Sequence, residues 1–368
     1  MDLSFLQPLY SRPGPWASVY LDASRDTEDA VEALELRWRA LRQQLEQQGA
    51  DQLSVAALGH AVLRHVPRAG EYGLALSATD GEVVLQNYLP APPRHDLAVV
   101  GPLPHAMPLV AQRGEEISWL RVLVSRTGAD IDAVSAGGLP RQANVTGPAS
   151  HPIRKVNPGA WSQARFQRAA EVSWQRNAGH SAAATAALAD QVGAEVLVVA
   201  GDPQARELLI SELPRRWQSR TVQTDVGSRA VGADPEPLTE VTIQAIAEVA
   251  AAHTGQALDR YGAQRGRGDG IGAVVDALQR AQVDTLLLVD DPSSTQRLWI
   301  GPEPTHIALD PDELTAMSVA APREVRADAA LLRALAGTDA DLVLVGPGEA
   351  DLDGGVGAVL RYLDPATG

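Results

Sequence analysis

The sequence predicts an α/β protein, α+β in its first part, made of three domains. Length is the first observation behind this. At 368 residues the chain suits two to three domains of roughly 150 residues each. The second is alternation: short apolar, β-branched runs at 16–22, 119–125, 195–200 and 284–289 are separated by longer stretches with apolar residues three and four apart. The third is charge. The formal net charge of -15 divides into -5 over residues 1–115, +2 over 116–235 and -12 over 236–368, so the three parts suit different partners.

Domain 1–115 begins with a proline-rich entry and a strand at 16–22. A helix follows, with Val31, Leu34, Trp38, Leu41 and Leu45 on one face, and Gly49 is its stop. A second helix is expected at 53–66. Strands at 72–78 and 82–89 flank Thr79-Asp80-Gly81, a hairpin turn. The proline-broken segment 90–108 closes the domain. Arg37, Arg39 and Arg42 are its one basic cluster, diluted by Glu35 and Glu46.

Domain 116–235 opens with strands at 119–125 and 131–135 around Thr127-Gly128. Residues 137–158 have little periodicity and many turn formers, and a loop of that length inside a compact domain is a functional signal. A long helix is expected over 161–189, then a buried strand at 195–200, a helix at 205–213 and a short strand at 220–224. Domain 236–368 starts with a long helix to about residue 261. A glycine-rich turn, a helix at 271–281 and a strand at 284–289 follow. A helix near 327–335, a strand at 341–345 and a final helix at 356–362 complete the domain.

The composition excludes several chemistries. There is no cysteine, so there is no disulfide, thiolate nucleophile or cysteine-bound zinc. The chain has no GxSxG elbow, HExxH pair or P-loop. The glycine-rich turn Gly266–Gly272 follows a helix instead of a strand, which fails the dinucleotide fingerprint. Asp351 and Asp353 form a turn without the closing glutamate of a calcium loop. Asp130 and Asp132 share one strand face and suit a solvated edge better than a metal pair. His60 and His65, five apart, do not make a helical ligand pair. No catalytic residue, metal or cofactor is expected. The start lacks a signal-peptide pattern and no run is long and apolar enough to cross a membrane, so a cytoplasmic location is expected.

The main positive signal is an acid-free interval from Ala133 to Ala170, between Asp132 and Glu171, in an otherwise acidic chain. It holds His151, Arg154, Lys155, Arg165 and Arg168, and Lys155 is the only lysine of the chain. Asn157, Trp161 and Gln163 lie among them. Cations without neighbouring carboxylates, with an indole for stacking, are the equipment for a polyanion, here RNA.

Two stretches resemble the superfamily of eukaryotic and archaeal release factor one and Pelota. Ser162-Gln163-Ala164-Arg165-Phe166-Gln167-Arg168 is similar to the Ser-Ala-Leu-Arg-Phe-x-Arg that follows the family's GGQ and opens a long helix. Aligning Arg-Phe places Gly159-Ala160-Trp161 where GGQ would stand. Gly270-Ile-Gly-Ala-Val-Val-Asp-Ala-Leu-Gln-Arg-Ala and the apolar strand after it resemble the family's C-terminal domain, which has the fold of kink-turn-binding ribosomal proteins. The resemblance covers roughly residues 116–368 and is nearest to the bacterial branch that includes the ribosome-hibernation factor Balon.

The resemblance implies a partnership with ribosomal RNA of both subunits, and with EF-Tu through the acidic last domain. It also implies Arg37, Arg39 and Arg42 on the decoding-centre side, with no DNA partner expected. In release, the family's glutamine amide orients water at the peptidyl-tRNA ester. Gly159-Ala160-Trp161 lacks that amide, so the expectation is a non-enzymatic factor that occupies the A site of idle ribosomes. The alternatives are a peptidyl-tRNA hydrolase or rescue factor, and a stress-associated interaction module that does not touch RNA.

Overall fold

The computed structural model describes residues 1–25, 29–68, 70–114, 117–135, 141–146, 160–229, 232–264 and 268–362, with the backbone alone over 160–174. The chain forms two compact units. Residues 1–115 and 254–368 make one, and residues 116–253 make the other.

The first unit starts with a one-turn helix α1 (Gln7–Tyr10) and strand β1 (Trp16–Asp22). Helices α2 (Ala30–Gln47) and α3 (Gln52–Arg64) follow, then β2 (Gly73–Thr79), β3 (Glu82–Leu89), β4 (Leu97–Gly101) and helix α4 (Met107–Arg113). The sheet is antiparallel in the order β3-β2-β1-β4. β1 is its centre and is buried on both faces. Ala17, Val19 and Leu21 pack with Leu34, Trp38, Leu41 and Leu45 of α2 and with Leu58 and Val62 of α3. Trp16 and Tyr20, one step out of phase, serve the cores on the opposite face. Asp51 caps α3 by accepting from the Ser54 amide at 2.7 Å. β4 and α4 lie in and just after the proline-broken segment expected to be irregular. Its prolines fall between the elements, and Pro108 sits in the first turn of α4, where no amide is needed.

The second unit contains β5 (Trp119–Ser125), β6 (Gly128–Val134), β7 (Arg141–Thr146), α5 (Ala160–Val192), β8 (Val196–Gly201), α6 (Pro203–Glu212), the short α7 (Arg215–Gln218), β9 (Thr221–Gln223) and the start of α8 (Glu236–Ala263). Its sheet runs β7-β6-β5-β8-β9. β5, β8 and β9 are parallel, and the β6–β7 hairpin adds antiparallel strands to one side. α5 and α6 cover one face, with Ala182, Ala186 and Ala189 of α5 against Leu120, Val122 and Ile131. Leu238 and Ala245 of α8 cover the other, over Val196, Val198 and Ala200. β7 is a strand within the segment read as aperiodic. Its alternating exposure shows why: only Ala143 and Val145 meet the core, too few to announce a period.

The chain then completes the first unit with α9 (Gly270–Gln279), β10 (Val283–Val289), β11 (Arg297–Ile300), β12 (Ile307–Ala308), α10 (Pro311–Ala316), β13 (Arg323–Arg326), α11 (Ala327–Thr338), β14 (Asp341–Val345) and β15 (Val356–Leu360). They form two three-stranded sheets, β14-β10-β15 and β12-β11-β13. The final helix expected at 356–362 is instead β15, antiparallel to β10. Val-Gly-Ala-Val-Leu is a five-residue apolar run, which periodicity alone cannot divide between helix and strand. Two positive-φ glycines, Gly354 and Gly355, turn the chain into it, and β10 supplies the hydrogen bonds. Leu3, Leu6, Leu9, Trp16, Met107 and Val110 enter the same core as Leu278, Leu298, Leu331 and Leu335. The Met1 carbonyl also accepts from the Leu342 amide of β14 at 3.0 Å. The first and last segments, expected as separate domains, therefore share one hydrophobic core. Among the described residues no helix is long and apolar enough to cross a membrane.

Candidate RNA-facing site

Three elements of the second unit meet at the carboxyl ends of its parallel strands. β5 ends at Ser125 and turns through Arg126 and Thr127 into β6. Gly128, at φ +150°, begins β6 where an added Cβ would stand 1.9 Å from the Val145 carbonyl oxygen, so only glycine lets the hairpin close against β7. β7 ends at Thr146, paired with Gly128, and the acid-free loop leaves the sheet there. β8 ends at Gly201, at φ +112°, whose added Cβ would lie 2.0 Å from the Val124 carbonyl oxygen.

α5 reaches this same end of the sheet. The Asn177 side-chain amide donates to the Arg126 carbonyl at 3.1 Å, and residues from Ala178 onward pack on the sheet toward the amino end of β8. The part of α5 before Asn177 therefore continues past the hairpin turn. Residues 160–176 span about 25 Å at the helical rise. Trp161, Gln163, Arg165 and Arg168 all fall on this projecting stretch. Their side chains lie outside the described residues, as do His151, Arg154, Lys155 and Asn157 entirely. The part of the expectation that can be placed is the base of the loop and the course of the helix. Both lie at one end of one sheet.

The cations at that base are neutralised by the fold. Arg229 grips Asp130 with two nitrogens, at 2.7 and 3.0 Å, and donates to Ser125 Oγ at 2.8 Å. Asp130 also accepts from the Asn144 amide. Arg126 pairs with Asp202 at 3.2 Å, while Asp202 caps α6 through the Ala205 amide. Arg206, almost buried, meets Asp225 at 2.6 Å and the Thr224 carbonyl. Asp130 and Asp132, read as a solvated edge, are each held by an arginine, Asp132 by Arg121 at 2.8 Å. Ser125, Thr127, Asp130, Gly201, Asp202 and Arg229 line a polar cleft beside the loop's origin. Sequence reasoning missed it because its members come from four separate segments. The only signals were Gly128 and Gly201 at strand ends. Its pairing leaves the unmatched positive charge to the loop and to the first turns of α5.

The first unit's basic cluster is similarly committed. Arg37 bridges Asp22 at 2.9 Å and Asp96 at 3.5 Å. Arg42 pairs with Glu46 one turn on, at 2.8 Å. Among the described residues Arg39 is exposed and makes no ion pair. No group of three or more histidines and carboxylates that could hold a metal occurs among them.

Two Mycobacterium tuberculosis proteins, uncharacterized protein Rv2629 (strain H37Rv) and uncharacterized protein MT2704 (strain CDC 1551), are each 32% identical to this chain over 363 residues, 97% of it and 96% of theirs. The chain belongs to their family. Residues 118–267 of this family member match the model for bacterial archaeo-eukaryotic release factor family 2. The match takes in the β5–β8 sheet, the acid-free loop and the whole of α5. Among solved structures, an archaeal translation termination factor aRF1 is 16% identical, at TM-score 0.27 over 97% of this chain and 96% of its own. Archaeoglobus fulgidus Pelota is 14% identical, at TM-score 0.35 over 98% and 92%.

Proposed function

We propose that this protein is a ribosome-binding factor that occupies the A site of idle ribosomes, as Balon does, without hydrolysing peptidyl-tRNA. The observation that carries this reading is a coincidence of three features in one segment. The release-factor-family match, the acid-free basic loop and the helix projecting past the sheet all fall within residues 118–267. A loop with cations and no carboxylates, carried beyond a rigid three-layer platform, suits insertion among phosphates. Because the arginines at its base are already paired, the RNA-facing charge belongs to His151, Arg154, Lys155, Arg165 and Arg168, with Asn157, Trp161 and Gln163 as polar and stacking neighbours. In this reading Gly159-Ala160-Trp161 stands at the peptidyl end, where the missing amide leaves no group to orient water. Residues 1–115 face the decoding side, Arg39 being the cation there that no described carboxylate holds. The acidic residues 236–368, net -12, meet a protein, and EF-Tu is the proposed one.

The test is co-sedimentation with vacant 70S ribosomes at low salt, with and without EF-Tu, followed by incubation with ribosomes carrying labelled peptidyl-tRNA. The expected result is pelleting with the ribosomes and intact peptidyl-tRNA. Protein left in the supernatant under both conditions would overturn the ribosome reading. Release of the labelled peptide would overturn the non-enzymatic one.

A further inference from the structure

A second cavity, of about 320 Å³, lies in the unit formed by residues 1–115 and 254–368, away from every residue invoked above. It opens at the carboxyl end of β10, the central strand of its sheet and parallel to β14, the place where open α/β sheets present ligands. Met107 of α4, Ile271 at the start of α9 and Leu331 of α11 give it apolar walls. Asp290, Arg326 and Asp328 supply its polar groups, and exposed Asp291 stands at its mouth.

These polar groups are unequally satisfied. Arg326 and Asp328 hold each other at 2.8 Å, and Asp328 also accepts from the Ala329 amide at 2.7 Å. Asp291 is taken up by the Ser293 amide and hydroxyl at 2.9 and 2.6 Å. Asp290 is half-buried and makes no hydrogen bond or ion pair among the described residues. Burial, and then the nearby Asp328, hold its carboxyl above the usual aspartate range, Arg94 opposes them, and Asp291 adds to the rise. An acidic acceptor without a partner, at the end of an apolar slot with net negative charge, is a vacancy of defined chemistry. It lacks a cationic donor carried on an apolar stem.

We propose that this cavity receives the side chain of an arginine from a partner protein, its methylenes against Met107, Ile271 and Leu331 and its guanidinium on Asp290. Arginine suits the slot better than lysine. Its planar fork can bond Asp290 and a neighbouring acceptor together, it keeps its charge on burial, and it is less strongly hydrated than an ammonium. The strongly acidic surroundings, net -12 over residues 236–368, draw a basic surface toward the mouth. The proposal requires neither RNA binding nor EF-Tu.

The test uses the full chain with methyl-labelled Met, Ile and Leu, titrated with N-acetyl-arginine amide and with N-acetyl-citrulline amide, which has nearly the same shape and no charge. The expected result is saturable shifts of the Met107, Ile271 and Leu331 methyl signals with the arginine probe, and at least tenfold weaker binding of citrulline. Asp290→Asn should cut arginine affinity at least tenfold and leave citrulline unchanged. This variant removes a half-buried charge that has no partner, so it is expected to fold. Ile271→Trp, which fills the slot, should abolish both. Equal affinity for the two probes, no shift at these methyls, or an Asp290→Asn variant that binds arginine as before would each overturn the proposal.

Discussion

At the scale of single residues, the arginines of the second unit divide by what they face. Arg121, Arg126, Arg206 and Arg229 are each matched to a carboxylate, and the second unit's fold depends on them locally. Arg154 and Lys155 lie in the stretch without acids. Replacing both by alanine should weaken ribosome binding and flatten the dependence of log K on log salt by roughly 1 to 2, for two phosphates released. Sedimentation at a series of salt concentrations measures it, and an unchanged slope would remove both residues from the RNA. His105 gives a residue-scale prediction of another kind. Its Nδ1 is buried without a partner, and burial holds the imidazole below its usual pKa, opposed by Asp328 and aided by Arg326. A depressed histidine stabilises the folded state above the ordinary histidine range and loses that contribution as pH falls through it. The drop in Tm between pH 7.5 and 5.5 should therefore be smaller in His105→Phe, where the ring remains and the titration is gone. An equal drop in both proteins would show that His105 carries none of it.

At the scale of elements, the parallel strands decide where the loop can begin, and glycine decides whether they can end as they do. Gly201 closes β8 against the Val124 carbonyl. Gly201→Ala combines a backbone clash with a conformation that side chains avoid, and should cost about 1–3 kcal/mol. For a unit of this size that is roughly 2–4 °C of Tm per kcal/mol. Thermal unfolding followed by circular dichroism checks it, and an unchanged Tm would mean the strand end yields freely. The legible elements were those with a long period or a dense apolar run. α2 was legible from Leu34, Trp38, Leu41 and Leu45, β8 from its Val-Leu-Val-Val-Ala, and α5 from the length of its pattern. β7, β11, β12 and β13 were not. They are two to six residues long, and their residues alternate only because a neighbouring strand holds them. The candidate site shows the same limit. Its basic loop could be read from local charge, whereas the Arg229–Asp130 pair joins residues 99 apart and no local pattern announces it.

At the scale of the whole molecule, charge and periodicity divide the chain in three while burial divides it in two. Periodicity reports which residues are buried but not what they are buried against. The apolar residues of 1–16 thus read as an entry segment, although Leu3, Leu6, Leu9 and Trp16 are at most 1% exposed, in a core shared with residues 274–358. Burying a leucine contributes about 1.5–3 kcal/mol. Three leucines, with Trp16, Met107 and Val110 beside them, therefore approach the whole stability of a typical domain, about 5–15 kcal/mol. Residues 254–368 made alone should consequently lack a cooperative fold, showing poor amide dispersion and dye binding to the uncovered Leu278, Leu298, Leu331 and Leu335. Addition of residues 1–115 in trans should restore dispersion. Residues 116–253, whose two cores contain no residue from elsewhere, should unfold cooperatively by themselves. A dispersed spectrum and a sharp melt from 254–368 alone would show instead that the shared core is dispensable, and would return the last segment to the status of an independent domain.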